Sequence, residues 1–170
     1  MRALRKSLDL LYQFSTIAAA LCMIAILALI VAQMLARWTG EVFPGAPDYA
    51  GYAMASASFL AFAGALNSGT HIRVSLLLNA LGTTGQRLLN IWCFGVATAV
   101  GWYVVYYIYR MLGFAIKFND VSQGQDATPM WIAQTPMFVG AVVLAIALTD
   151  NLVSLIVSGN HRIVREASPE

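Results

Sequence analysis

Four stretches of this chain carry no charged residue and no histidine: Leu10 to Ala36, Tyr49 to Thr70, Leu88 to Tyr109 and Ala127 to Thr149. Each is 22 residues or longer. A helix rises about 1.5 Å per residue, so about 20 residues cross the roughly 30 Å hydrocarbon core of a bilayer while satisfying their own backbone groups. With four such runs in 170 residues, 59% of them hydrophobic and 11% charged, the chain lies outside the range of a soluble domain. The expected fold is an all-α integral membrane protein. It is one membrane domain, 1–170, with four transmembrane helices at approximately 10–36, 48–67, 87–116 and 130–158. Arg2, Arg5 and Lys6 precede the first run as the basic start of a signal peptide does. The run is far longer than the roughly 7–15 apolar residues of a signal, so it is expected to stay as an anchor.

The charges set the expected orientation. Seven of the ten basic residues, Arg2, Arg5, Lys6, Arg73, Arg87, Arg162 and Arg165, fall before helix one, between helices two and three, or after helix four. The opposite side has Arg37, Arg110 and Lys117 beside Glu41, Asp48, Asp120 and Asp126. The positive-inside rule therefore places both termini in the cytoplasm. Trp38 and Trp131 fall at the outer ends of helices one and four, where an indole prefers the headgroup zone. The net charge of +2 is too small to indicate nucleic acid.

Between the second and third runs lies "NSGTHIRVSLLLNALG", Asn67 to Gly82. Its apolar core is about ten residues, or about 15 Å as a helix, and cannot span. Bounded by Gly69 and Gly82, residues 70–81 are expected to form a short cytoplasmic interfacial helix, with His71 and Arg73 as its anchor. Helix two carries Ala53, Ala57, Ala61 and Ala65 at a spacing of four, a strip of small side chains on one face. In lipid, helices associate through close van der Waals contact, which small residues permit, so this strip is a candidate packing or partner interface. Gly95 with Ala99, Ala97 with Gly101 and Ala141 with Ala145 repeat the motif.

Reactive chemistry is sparse. Arg110 near the outer end of helix three is expected to reach headgroups or pair with Asp120 or Asp126. Asp150 is expected to be a hydrated or paired helix-end carboxylate. Gln33 and Thr98, the deeper polar side chains, are expected to make interhelical hydrogen bonds. Trp102, Tyr103, Tyr106, Tyr107 and Tyr109 read as an aromatic belt or partner contact, and Cys22 and Cys93 as small buried hydrophobes. His71 has no second ligand nearby and makes a poor metal site. No nucleophilic triad, phosphate loop or paired mid-membrane carboxylates can be assembled, so no enzyme is expected.

From Asp48 to Leu78 the chain reads "DYAGYAMASASFLAFAGALNSGTHIRVSLLL". It resembles the small membrane subunit of tripartite ATP-independent periplasmic (TRAP) transporters. Asp48 and Tyr49 open helix two, a small-rich "FLAFAGAL" follows, and Gly69-x-His71-Ile72-Arg73-Val74 precedes a run of leucines. "PMWIAQTP", Pro129 to Pro136, extends the resemblance to the entry of helix four, so it covers nearly the whole chain; Ser75 stands where the family commonly has an acidic residue. The resemblance implies a small, non-catalytic scaffold subunit in the bacterial inner membrane, supporting a large permease subunit. It further implies sodium-coupled uptake of an organic acid or similar solute delivered by a periplasmic binding protein. Partners would be those two proteins and membrane lipids. No cofactor is expected in this chain, with sodium in the large subunit. Glu41, Asp48, Lys117, Asp120 and Asp126 are then candidates for docking the binding protein. The alternative is a self-sufficient oligomeric four-helix channel or carrier.

Overall fold

A computed structural model of the chain describes residues 2–41, 44–67, 83–124 and 127–158. These residues form four helices: α1 (Arg2–Thr39), α2 (Ala46–Asn67), α3 (Thr83–Lys117) and α4 (Met130–Ser158). Among the described residues the only strand-like feature is an isolated bridge between Val121 and Pro129. All four helices are long and apolar enough to cross a membrane. The proposed interfacial helix, 70–81, with His71 and Arg73, lies outside the described residues.

Helices α1 and α3 run well past their uncharged segments. With 38 and 35 residues, each is longer than the roughly 30 Å hydrocarbon core requires. The excess must tilt or project beyond the hydrocarbon. Pro136 lies inside α4 and removes one backbone donor, which would otherwise bond the carbonyl four residues back. The helix continues through it.

The helices pack in the lateral order α1, α2, α4, α3, and α1 meets α4 only marginally. Helix α4 is the spine: 44% of its most apolar window is buried within the chain, against 11% for the flanking α1 and α3. One buried cluster joins Tyr12 of α1 and Ala63 and Leu66 of α2 to Val143, Ala147 and Leu148 of α4. A second joins Val105 and Ile108 of α3 to Ala141 and Ala145, with Phe59 of α2 against them.

Antiparallel succession puts the two interhelical connections 40–45 and 118–129 at one end of this layer, the loop end. The start of α1 and the end of α4 share the other, the terminal end. Cross-contacts fix the register. The Arg87 Nη2 donates to the Ile156 carbonyl at 3.3 Å, the Trp102 Nε1 to the Thr149 hydroxyl at 3.2 Å, and Tyr109 lies on Phe138.

Two glycines allow the tightest crossings. A Cβ on Gly140 of α4 would fall 2.5 Å from the Phe59 carbonyl carbon of α2, and one on Gly64 of α2 would collide with the Thr16 hydroxyl of α1. Without a water-exclusion force between helices in lipid, such close approach is how contact energy is gained.

Candidate functional site

The small-residue strip of α2 is unevenly used. Ala57 is buried, at 5% exposure, while Ala53, Ala61 and Ala65 are half-buried. The polar atoms beside it are satisfied locally. The buried Ser15 hydroxyl of α1 donates to the Leu60 carbonyl of α2 at 2.7 Å, and the Ser56 hydroxyl donates to the Tyr52 carbonyl at 2.7 Å. Ser15 to Leu60 is an interhelical bond that sequence reading missed. A serine within an otherwise apolar run, facing a neighbour's small residues, was the available signal.

Both helices that finish at the loop end stop in the same way. The Gly40 N–H donates to the Arg37 carbonyl and the Glu41 N–H to the Ala36 carbonyl, with Gly40 at φ 79°. On α3 the Asn119 N–H donates to Ile116 and the Asp120 N–H to Ala115, with Asn119 at φ 47°. These are Schellman closures, in which a left-handed residue lets the chain turn back and satisfy the last carbonyls. Each places an exposed acid, Glu41 or Asp120, just past the helix end. Arg37 and Lys117 occupy the last turns, where a cation faces the negative end of the helix dipole. The Lys117 ammonium lies 5.7 Å from the Phe118 ring centre.

Residues 118–124 and 127–129, between α3 and α4, are held down on the start of α2. The Tyr52 hydroxyl donates to the Ser122 hydroxyl, which also accepts the Gly124 N–H at 3.1 Å. The Thr128 hydroxyl donates to the Tyr49 phenol oxygen at 3.4 Å. The Ser122 N–H bonds the Thr128 carbonyl at 2.8 Å, and the Met130 N–H bonds the Asp120 carbonyl at 3.0 Å. Asp48 is half-buried, and Gly124 passes so near its carboxylate that a Cβ there would collide with it. Asp48 therefore sits under the connection, whereas Glu41, Lys117 and Asp120 are exposed; Asp126 lies outside the described residues. Sequence spacing did not show that Tyr49 and Tyr52 act as clamps, because their partners are 70 or more residues away.

Several expectations change. Among the described residues Arg110 forms no ion pair with Asp120. Its guanidinium lies over the Tyr106 and Phe114 rings at 6.0 and 5.6 Å. One helical turn brings those rings within reach, whereas Asp120 lies beyond the helix end. The Thr98 hydroxyl bonds the Phe94 carbonyl of its own helix at 2.7 Å rather than another helix, because the carbonyl four residues back is the nearest acceptor in an apolar setting. Gln33 is half-buried, with no interhelical hydrogen bond among the described residues. Cys93 is exposed and Cys22 only half-buried, both free thiols. An apolar side chain on a membrane helix can face lipid as readily as core, so apolarity alone does not imply burial. Conversely, Gln134 and Asn151 of α4 are buried, at 7% and 1% exposure. The Asn151 amide donates to the Ala147 carbonyl at 2.8 Å, and the side-chain oxygens of both residues accept no hydrogen bond.

This geometry presents packing faces and a clamped polar loop end. Comparison with known families adds one finding: a family model described as tripartite ATP-independent periplasmic transporters, DctQ component, matches residues 26–158. No curated protein matches the chain.

Proposed function

We infer the role of this chain from its family: it belongs to the DctQ component of the tripartite ATP-independent periplasmic transporters. It is a multi-pass membrane protein and a component of a transport system. We propose that it is the small, non-catalytic subunit that braces a large permease subunit in the bacterial inner membrane, with both termini in the cytoplasm. The partner then carries out sodium-coupled uptake of an organic acid or similar solute, delivered by a periplasmic binding protein. The sodium and solute sites belong to that partner.

The observation that carries this reading is that the four helices among the described residues run unbroken and pack side by side around α4. Secondary carriers hold cargo near the midplane on interrupted helices, usually between structural repeats. Continuous helices packed side by side offer packing flanks instead. Helices α1 and α3 bury little of their surface within the chain, so both flanks are available to a larger neighbour. Segment 70–81, with His71 and Arg73, is proposed to lie in the cytoplasmic interface and anchor the assembly. Arg73→Ala is expected to lower the amount of complex recovered, and normal recovery with normal uptake would count against that anchor.

The test is isolation from native membranes in mild detergent, with companions identified and counted by mass spectrometry. A large multispanning protein at about one-to-one supports the scaffold. Recovery as a homo-oligomer with no large companion after cross-linking would replace it with the self-sufficient channel or carrier.

A further inference from the structure

An apolar groove of about 420 Å³ opens between Phe62 and Leu66 of α2 and Cys93, Phe94 and Ala97 of α3, floored by Leu144 and Leu148 of α4. It exists because α2 and α3 both pack on α4 but not extensively on each other. The Cys93 thiol is the only polar group among its lining side chains, so the occupant is hydrocarbon.

The groove is short: its lining residues cover about one turn on each of the three helices, about 6 Å of axis. An open apolar slot of that kind gives one acyl chain hydrocarbon contact on three sides.

Position and charge identify the kind of lipid. The groove lies in the half of the layer nearer the terminal end, where Lys6 and Arg87 are exposed. Arg87 precedes Phe94 by seven residues on α3, hence on the same face and about 10 Å along the axis. Its hydrogen bond to the Ile156 carbonyl holds it over the seam between α3 and α4. Among the described residues no carboxylate pairs with it, so guanidinium N–H groups remain for a phosphate. Trp92, 66% exposed, stands beside the groove residue Cys93 and five residues from Arg87 on α3, and an indole so close to a cation suits the headgroup zone. A cation at the mouth of a hydrocarbon slot between membrane helices is the pattern that holds an acidic lipid.

We propose that this groove binds one acyl chain of an anionic phospholipid, with its phosphate on Arg87. The test uses the chain purified with its native companions and equilibrated with equal amounts of phosphatidylglycerol and phosphatidylcholine. Retained lipid is then counted by native mass spectrometry. Wild type is expected to keep one phosphatidylglycerol per chain in preference to phosphatidylcholine. Arg87→Gln should lower the phosphatidylglycerol retained about fivefold, the contribution of one arginine near an anionic surface, and remove the preference. Ala97→Phe, which fills the slot, should lower retention of both lipids. In a Cys22→Ala background, a photoreactive group on Cys93 should capture lipid. Equal retention of the two lipids by wild type, unchanged retention in Ala97→Phe, or capture of a protein helix by the Cys93 probe would each overturn the proposal.

Discussion

Gly140 and Gly64 set how closely the three helices α1, α2 and α4 approach, and they differ in what opposes a larger side chain. At Gly140 the obstacle is the backbone of Phe59 and Leu60, which cannot move aside without shifting α2. Gly140→Ala is therefore expected to destabilise the chain by about 1–3 kcal/mol, the usual range for overpacking, seen as a lower thermal midpoint in detergent. Gly95→Ala on α3, where a Cβ meets open space, should be neutral or slightly stabilising through helix propensity. At Gly64 the obstacle is one side chain, the Thr16 hydroxyl. Gly64→Ala should destabilise, and Thr16→Ala in the same chain should restore most of the loss. A double-mutant cycle with no coupling would disprove the contact.

Helix α2 is the element on which the layer depends, since it packs on α1 and α4 and its first turns receive the connection 118–129. Its alanines were legible from their spacing, but their unequal burial was not. Ala57→Leu is expected to reduce recovery of assembled protein more than Ala61→Leu, because Ala57 is buried and Ala61 half-buried. Equal losses would show that a partner covers Ala61 to the same degree. Tyr52→Phe removes the clamp on Ser122 and nothing from the helix core. One hydrogen bond contributes about 0.5–1.5 kcal/mol net, so amide exchange in the connection should speed up by up to about tenfold. Exchange in the spanning helices should not change.

At the scale of the whole molecule, the four described helices pack side by side and leave most of the apolar surface of α1 and α3 uncovered. In water such a chain would aggregate; in lipid it is stable and ready to join a neighbour. The exposed acids and cation of the loop end, Glu41, Asp120 and Lys117, then lie on the surface open to a soluble partner. If the binding protein docks there through charge, its affinity should fall as salt rises, and Glu41→Gln with Asp120→Asn should flatten that dependence. An affinity that ignores both salt and these substitutions would assign docking to other contacts.

The sequence by itself determined that the chain is helical, with four runs long and apolar enough to span, and it determined the family. Satisfying the backbone in hydrocarbon is a local requirement, met by about 20 uncharged residues in succession whatever surrounds them. The motif from Asp48 to Leu78 is equally local, a string that can be read without a fold. Only the tertiary structure decided which faces meet. A membrane helix is apolar toward lipid and core alike, so hydropathy does not distinguish Cys93, exposed beside the groove, from Ala147, fully buried in the core. Close approach also depends on what lies opposite: Gly140 and Gly95 look alike in sequence, yet one touches the backbone of α2 and the other meets nothing. The clamp of Tyr49 and Tyr52 on the distant connection likewise needed the fold, because α2 and α4 run side by side in the same direction and bring the start of one beside the entry to the other.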